Sequence, residues 1–382
     1  MTFSKTVLCL SGFLMLTIQL SEPVAAQVPA APAVVPAKDV RIDWQPSTLR
    51  LIQPGGGYGR VARVDEKQVV VIYERSAGIW AKISNNNGDS WGPEIPVAQY
   101  QYGTPANPEL LILPNGDWLC SFNPRPNNKG AAVPQPLAIA TCRSTDKGVT
   151  WSAPEIIYRA GTTGGEGCWE PRAILGPNNE VQMYFANEAP YKTSAEQEIT
   201  RMISRDNGRT WGAPHRVSFR AGKRDGMPVP VLLRNGKVAM AIEDNGLSGD
   251  FKPVIIDVPD NEKEFVGADS PRRWSALTKP LQASTYAGAP YLCQMPDGTT
   301  ILTAQVNVAD DDRRERMVVW VGDENAHNFT QMSWPFGDIP DKSSAAYWNS
   351  LWVKDARTVT AVTGTKIHGI SGLWSIDGVV TR

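Results

Sequence analysis

Six consecutive residues, Gly167-Cys168-Trp169-Glu170-Pro171-Arg172, set an acid between an indole and a guanidinium. A carboxylate followed by proline is kept out of a helix interior and biased towards extended backbone, so Glu170 is expected to project from a strand start or a loop end. A carboxylate in such a place can exchange a proton or attack an electrophilic carbon. The plainer role is a salt bridge from Glu170 to Arg172 that ties down a turn and does no chemistry. Which role holds depends on whether a second acid reaches the same place.

Periodicity supplies that second acid. Ser84-Asn85-Asn86-Asn87-Gly88-Asp89-Ser90-Trp91 recurs at Ser144 to Trp151 and again at Ser204 to Trp211, sixty residues apart each time. Each copy reads Ser-x-Asp/Asn-x-Gly-x-Ser/Thr-Trp: short polar side chains bond the turn's own backbone, Gly takes positive φ, and Trp returns to the core. Such a turn resembles the Asp-box of sialidases and related β-propellers and is structural, so no catalytic role falls on it. Ser270-Pro271-Arg272-Arg273-Trp274 and the segment before Trp334 read as eroded copies.

A second repeat sets the number of units. Apolar runs flank turns centred on Glu66, Asn115, Asn178, Asn235, Asp297 and Asp355, which makes six. Between successive turns there is room for four strands, and a four-stranded meander that cannot bury both of its faces alone must pack on its neighbours in a ring. The expected fold is therefore all-β: a six-bladed β-propeller of four-stranded antiparallel blades with Asp-box turns. Its ring should close by pairing residues 49–52 with residues 374–380.

In a meander, the first strand starts and the second strand ends at one rim. Eight residues before the turn centres stand Tyr58, Asn107, Glu170, Met227, Ala289 and Tyr347; eight after them stand Glu74, Asn123, Ala186, Glu243, Gln305 and Thr363. Glu170 and Glu243 thus come from adjacent blades to one rim, and two facing carboxylates are what glycoside hydrolysis requires. Glu243, as the proton carrier, is expected to have its pKa raised. Each residue also has an ordinary role: Glu243 can hold an inter-blade backbone group, Tyr347 can be a packed ring, and Glu74, Glu109, Glu166 and Glu188 are rival acids. The run from Asp310 to Arg314 reads as a solvated loop.

Bulk properties agree with a neutral or weakly charged partner. The 382 residues carry a net charge of -1 with scattered basic residues, which gives neither nucleic acid nor an anionic membrane a footprint. The 33 Gly and 30 Pro favour short strands and tight turns over helices. Three widely spaced His offer no zinc pattern, and no Gly-rich phosphate loop is present, so no cofactor is expected. Lys5, an apolar run from Val7 to Leu20, and Val24-Ala25-Ala26 read as a signal peptide over residues 1–26, followed by a Pro/Ala-rich leader over 27–39 and a secreted, monomeric catalytic domain over 40–382. Cys120 and Cys142 fall on neighbouring strands, as a disulfide or as two buried thiols.

From about residue 40 to residue 382 the chain resembles the exo-acting α-L-arabinanases of glycoside hydrolase family 93, which are six-bladed propellers. The similarity lies in the Trp-Glu-Pro start of blade three and in the acid ending the second strand of blade four. It implies that Glu170 is the nucleophile and Glu243 the acid/base of a retaining enzyme that releases arabinobiose from linear arabinan. Tyr58, Arg60, Asn107, Trp169, Arg172, Asn187 and Tyr347 are the candidate substrate contacts. A sialidase with Tyr347 and Glu243 as its pair is the alternative, with Arg220, Arg224 or Arg313 completing an arginine clamp. A propeller that only binds glycan or protein is the third reading.

Overall fold

Six antiparallel sheets follow one another along the chain, in a computed structural model that describes residues 39–247, 249–307, 315–342 and 344–382. The signal peptide, nearly all of the leader, and the run from Asp310 to Arg314 with Arg313 lie outside the described residues. Blade I comprises Gly57–Arg63, Val69–Arg75, Gly78–Ser84 and Ile95–Ala98; blade II, Gly103–Ile112, Trp118–Pro126, Ala138–Ser144 and Glu155–Arg159. Blade III comprises Cys168–Leu175, Val181–Asn187, Glu198–Ser204 and His215–Ser218; blade IV, Asp225–Leu232, Val238–Asp244, Lys252–Asp257 and Arg273–Ser275. Blade V comprises Ala287–Gln294, Thr300–Asn307, Glu315–Gly322 and Thr330–Ser333. Blade VI contributes Tyr347–Val353, Thr358–Ile367 and Ile370–Thr381, and its first strand packs against the first strand of blade I.

The inner strands are apolar on both faces because neighbouring blades cover both. Val69 to Tyr73 are wholly buried, and Val70 and Ile72 of blade I share a cluster with Trp118, Cys120 and Phe122 of blade II. Cys120 and Cys142 are direct cross-strand partners with free thiols.

The Asp-boxes are clasps between third and fourth strands. Ser144 Oγ donates to Asp146 Oδ1 and accepts the Gly148 N–H at 2.8 Å, while Asp146 Oδ1 accepts the Thr150 N–H at 2.9 Å. Gly148 sits at φ +85°, which a Cβ would strain. Ser84 and Ser204 accept the same glycine N–H in their own boxes.

Closure differs from the expectation in using two strands. Arg50–Pro54 pairs with the last strand through Leu51 and Trp374, and Arg41–Trp44 extends the pairing through Ile42 and Val380. The last strand spans 12 residues, long enough to hold both, so blade VI has five strands rather than four.

Each first strand carries a bulge at the same height. Pairing skips there, and the skipped residue has positive φ in every blade: Tyr58 +49°, Asn107 +52°, Glu170 +50°, Met227 +49°, Ala289 +47° and Trp348 +55°. Glu170 is therefore within a strand but not extended as its Pro neighbour suggests. Side chains forced to positive φ cost about 1–3 kcal/mol each and persist where the surroundings over-determine them.

Candidate active site

The bulge takes the skipped residue out of the ladder, and in blades II, V and VI a side chain of the preceding blade accepts its N–H. Glu74 Oε1 accepts the Asn107 N–H at 2.6 Å, Glu243 Oε2 the Ala289 N–H at 2.8 Å, and Gln305 Oε1 the Trp348 N–H at 3.2 Å. Asn123 instead donates to the Cys168 carbonyl at 2.8 Å. These side chains end the second strands, as the register count requires. Blade VI departs from it by one residue, because Val353 pairs with Val359 and so centres that hairpin on Ala356 rather than Asp355. Trp348 and Gly364 hold the equivalent places instead of Tyr347 and Thr363.

Glu170 and Glu243 are both half-buried on this rim and feel one another. Burial and the charge of Glu243 push Glu170 up to about 8, against the opposing pull of Arg125 and Arg224. Burial raises Glu243 as well, while the Ala289 N–H and Arg224 favour its ionised form. The upward direction expected for Glu243 is present, but the stronger statement belongs to Glu170. Beside Glu243 stands the Tyr286 phenol, raised by burial and by the charges of Glu243, Glu315, Asp250 and Glu170. A Cβ on Gly288 would lie 2.4 Å from the Tyr286 hydroxyl and 2.6 Å from Glu243 Oε2; one on Gly226 would lie 2.8 Å from Glu243 Oε1. Two glycines thus make the space that the acid occupies.

Below the carboxylates lies a second ring, two residues past each bulge position: Arg60, Glu109, Arg172, Val229, Tyr291 and Ser350. Arg60 Nε donates to Glu109 Oε1 at 2.9 Å, and its Nη1 donates to the Gly59 and Trp348 carbonyls at 3.0 and 2.9 Å. Arg172 Nη1 donates to the same Glu109 oxygen at 3.3 Å. The Arg60 guanidinium lies 3.9 Å from the Tyr58 ring centre, and that of Arg172 lies 4.3 Å from the Tyr291 ring centre. Because these contacts link blades I, II, III, V and VI, they meet across the axis and close it. The plainer alternative, a Glu170–Arg172 salt bridge, is therefore not formed. The bulge between Trp169 and Arg172 separates residues that a regular strand would put on one face, and turns Arg172 down to Glu109.

The other candidate contacts divide. Tyr58 and Arg60 are only 3% and 4% exposed and belong to the floor rather than to a ligand surface. Asn187 is 2% exposed and already donates to Tyr158 Oη of blade II at 2.9 Å and to Thr200 Oγ1 of its own blade at 3.1 Å. Asn107 Oδ1 accepts from the Arg125 guanidinium, which also lies 5.3 Å from the Trp169 ring centre. Trp169 is half-buried, and a Cβ on Gly167 would strike its ring at 2.2 Å. Tyr347 is 43% exposed and meets Glu315. Of the rival acids, Glu74 is a clasp, Glu109 is in the floor, Glu188 binds Arg224, and Glu166 packs against Gly161. Arg220 is engaged by Asp244 at 3.1 Å.

Two residues escaped the sequence reading. Arg125 extends the second strand of blade II two places beyond Asn123, so strand alternation puts it on the same face. Tyr286 ends a long connection in which no period operates. Among the described residues no three His, Cys, Asp or Glu side chains converge as a metal set.

No protein-family model and no curated protein matches the sequence. Among solved structures, the chain is similar to a protein of unknown function from Dyadobacter fermentans, with TM-score 0.66, 13% identity, and 92% of this chain and 100% of that one covered. It is similar to the α-L-arabinanase of Penicillium chrysogenum complexed with arabinobiose, with TM-score 0.65, 18% identity, and 91% and 98% covered. The NanB sialidase of Streptococcus pneumoniae gives TM-score 0.58, 11% identity, and 87% and 71% covered. The fold is the six-bladed propeller that arabinanases and sialidases share.

Proposed function

We propose that the chain is a two-carboxylate, exo-acting glycoside hydrolase that releases arabinobiose from the end of linear α-1,5-L-arabinan by a retaining mechanism. The observation that carries this reading is the pairing of Glu170 and Glu243: two acids from adjacent blades, held above the ordinary carboxylate range over a closed floor. Such a pair keeps one proton between them near neutrality, which is the state hydrolysis needs. A pocket closed at its base suits attack at a chain end. Arabinan as substrate is supported by the Trp-Glu-Pro motif and by the fold shared with an arabinanase that holds arabinobiose. Export is supported by the character of residues 1–26.

In the reaction, Glu170 attacks the anomeric carbon while Glu243 gives its proton to the departing oxygen, so the glycosidic C–O bond breaks as the glycosyl ester forms. Glu243 then takes a proton from water, whose oxygen attacks the same carbon and frees Glu170. One observation favours the reverse roles: the Ala289 N–H stabilises ionised Glu243, whereas Glu170 accepts no hydrogen bond from the described residues. Alanine variants with added azide separate the two. Loss of the acid/base gives a glycosyl azide of retained configuration, and loss of the nucleophile gives the inverted one.

A sialidase would need guanidinium groups open to a substrate carboxylate and an activated tyrosine. Arg60 and Arg172 share Glu109, Arg224 is bound to Glu188, and Tyr286 rather than Tyr347 stands beside Glu243, with its phenol raised. Product analysis on debranched arabinan and on a sialoside tests the proposal. Cleavage of the sialoside alone overturns it, and inertness towards both points to a binding propeller.

A further inference from the structure

We propose that a cleft between the third strand of blade V and the connection into blade VI binds the sugars on the leaving side of the scissile bond. The inference rests on the hydrolase reading above. With the axis closed by Arg60, Glu109 and Arg172, a polymer whose end occupies the central pocket has to leave sideways across the rim. An aromatic track marks one way out. The buried Tyr58 ring lies 6.0 Å from the Trp348 ring, and Trp348 lies 6.4 Å from Tyr347. Trp348 and Tyr347 are 41% and 43% exposed, although large apolar rings are ordinarily withdrawn from water. The Trp348 backbone is held at positive φ, a conformation rare for a bulky residue.

The track leads into the cleft. The Tyr347 hydroxyl meets the Glu315 carboxylate, and Glu315 also faces Tyr286, which adjoins Glu243. Glu315 then lines the cleft together with Trp334, Phe336, Arg316 and Asp338. The cleft has a volume of about 210 Å³ and opens to solvent along one side. Arg316 stands 6.0 Å from the Trp334 ring centre and donates to Asp338 at 3.2 Å, so an indole face is bordered by planar hydrogen-bonding groups. Carbohydrate has the matching chemistry, with apolar ring faces edged by hydroxyls.

A second recess on this rim, around Gly56, Thr104, Arg125 and Glu74, is walled by backbone and charge, and its one exposed aromatic wall is Trp348. The cleft beside Trp334 is the better sugar site. Because its Glu315 wall is linked through Tyr286 to Glu243, the acid that protonates the departing oxygen, its occupant is the leaving portion of the chain.

The test compares wild type, Trp334→Ala and Arg316→Ala on a long linear arabino-oligosaccharide and on an aryl arabinobioside, whose leaving group ends short of the cleft. The expected loss in kcat/KM is about tenfold larger on the oligosaccharide than on the aryl substrate, in each variant. Equal losses on both substrates overturn the proposal. Arg316→Ala removes a cleft wall without opening the core, and so keeps the test valid where Trp334→Ala unfolds the chain. Equilibrium binding of the same oligosaccharides to Glu170→Gln is the second arm. Affinity that rises with chain length and drops about tenfold without Trp334 or Arg316 supports the cleft. Length-dependent affinity unchanged by both substitutions overturns the cleft and leaves the hydrolase reading standing. Absence of both binding and turnover overturns that reading, and the cleft with it.

Discussion

Glu243 of blade IV accepts the backbone N–H of Ala289 in blade V at 2.8 Å, so the proposed acid is also the fastener between two blades. Gln305 does the same work one blade on, at 3.2 Å to Trp348, with an amide in place of a carboxylate. Structure and chemistry at Glu243 are therefore separable. Glu243→Gln should keep the clasp and the melting temperature while losing about 10²–10⁴-fold in turnover of arabinan. Glu243→Ala should lose the turnover and also about 1–3 kcal/mol of stability, since the Ala289 N–H is left without an acceptor. Denaturant unfolding of the two variants beside kinetic assays checks both halves. Equal destabilisation of both would show that the clasp needs a charge.

The pH dependence of activity follows from the shared proton. With Glu170 pushed up to about 8, the pair loses its last proton only above neutrality, so kcat/KM should fall on the alkaline side with a midpoint near 8. Removing the neighbouring charge in Glu243→Gln should lower the pKa of Glu170, which titration by NMR of the labelled carboxyl would follow.

Stability should move with the same group, and its sign is fixed by the direction of the shift. A carboxyl raised from its ordinary 4.5 to about 8 binds its proton in the folded protein while the unfolded chain has lost it. Its contribution is therefore fully present below about pH 4.5 and is lost as pH rises through 8. Glu170→Gln, which stays neutral, should raise the melting temperature more at pH 9 than at pH 5. A shift independent of pH would mean that the carboxyl is not titrating in this range.

Much of this arrangement was legible in the sequence because hairpin pairing is symmetric about its turn. Counting from Glu66, Asn115, Asn178, Asn235 and Asp297 reaches the skipped residue of five blades, and fails only where Asp355 looks like a turn centre but pairing puts it at Ala356. What periodicity does not carry is the partner across the axis. Glu170 and Arg172 look like a pair two residues apart, and the bulge that parts them is not written in the residues between. Arg60 and Arg172 converge on Glu109 because the first strands of blades I, II and III pack side by side, which no single blade's residues announce. Tyr286 lies where no strand period runs, so its approach to Glu243 was beyond such reading.

The floor is a buried ion triad, and its energetics depend on one residue. Glu109 is the carboxylate that both Arg60 and Arg172 meet, with Arg60 and Glu109 side chains 4% and 12% exposed. Glu109→Gln would leave two guanidinium groups facing each other without a counter-charge, at a cost of about 3–5 kcal/mol. Glu109→Gln with Arg172→Gln removes one of those charges as well and should recover part of the loss. A double-mutant cycle by urea unfolding measures the coupling, and additive losses would show that the two residues do not interact.

The space around the acid gives the last prediction. Gly288 precedes the skipped residue of blade V, and a methyl group there would lie 2.4 Å from the Tyr286 hydroxyl and 2.6 Å from Glu243 Oε2. Its φ is not in the left-handed region, so the backbone tolerates alanine and the burden falls on the two oxygens. Either Tyr286 swings away or the Glu243 carboxylate leaves the Ala289 N–H. Displacement of a catalytic group by about 1 Å costs on the order of 10²-fold in rate. Gly288→Ala should thus lose about that much kcat while the melting temperature changes by only a few degrees, and Gly226→Ala, at 2.8 Å from the other oxygen, should behave alike. Kinetics with thermal melts on both variants would decide it. Full activity in either one would mean that Glu243 is not held where proton transfer requires it.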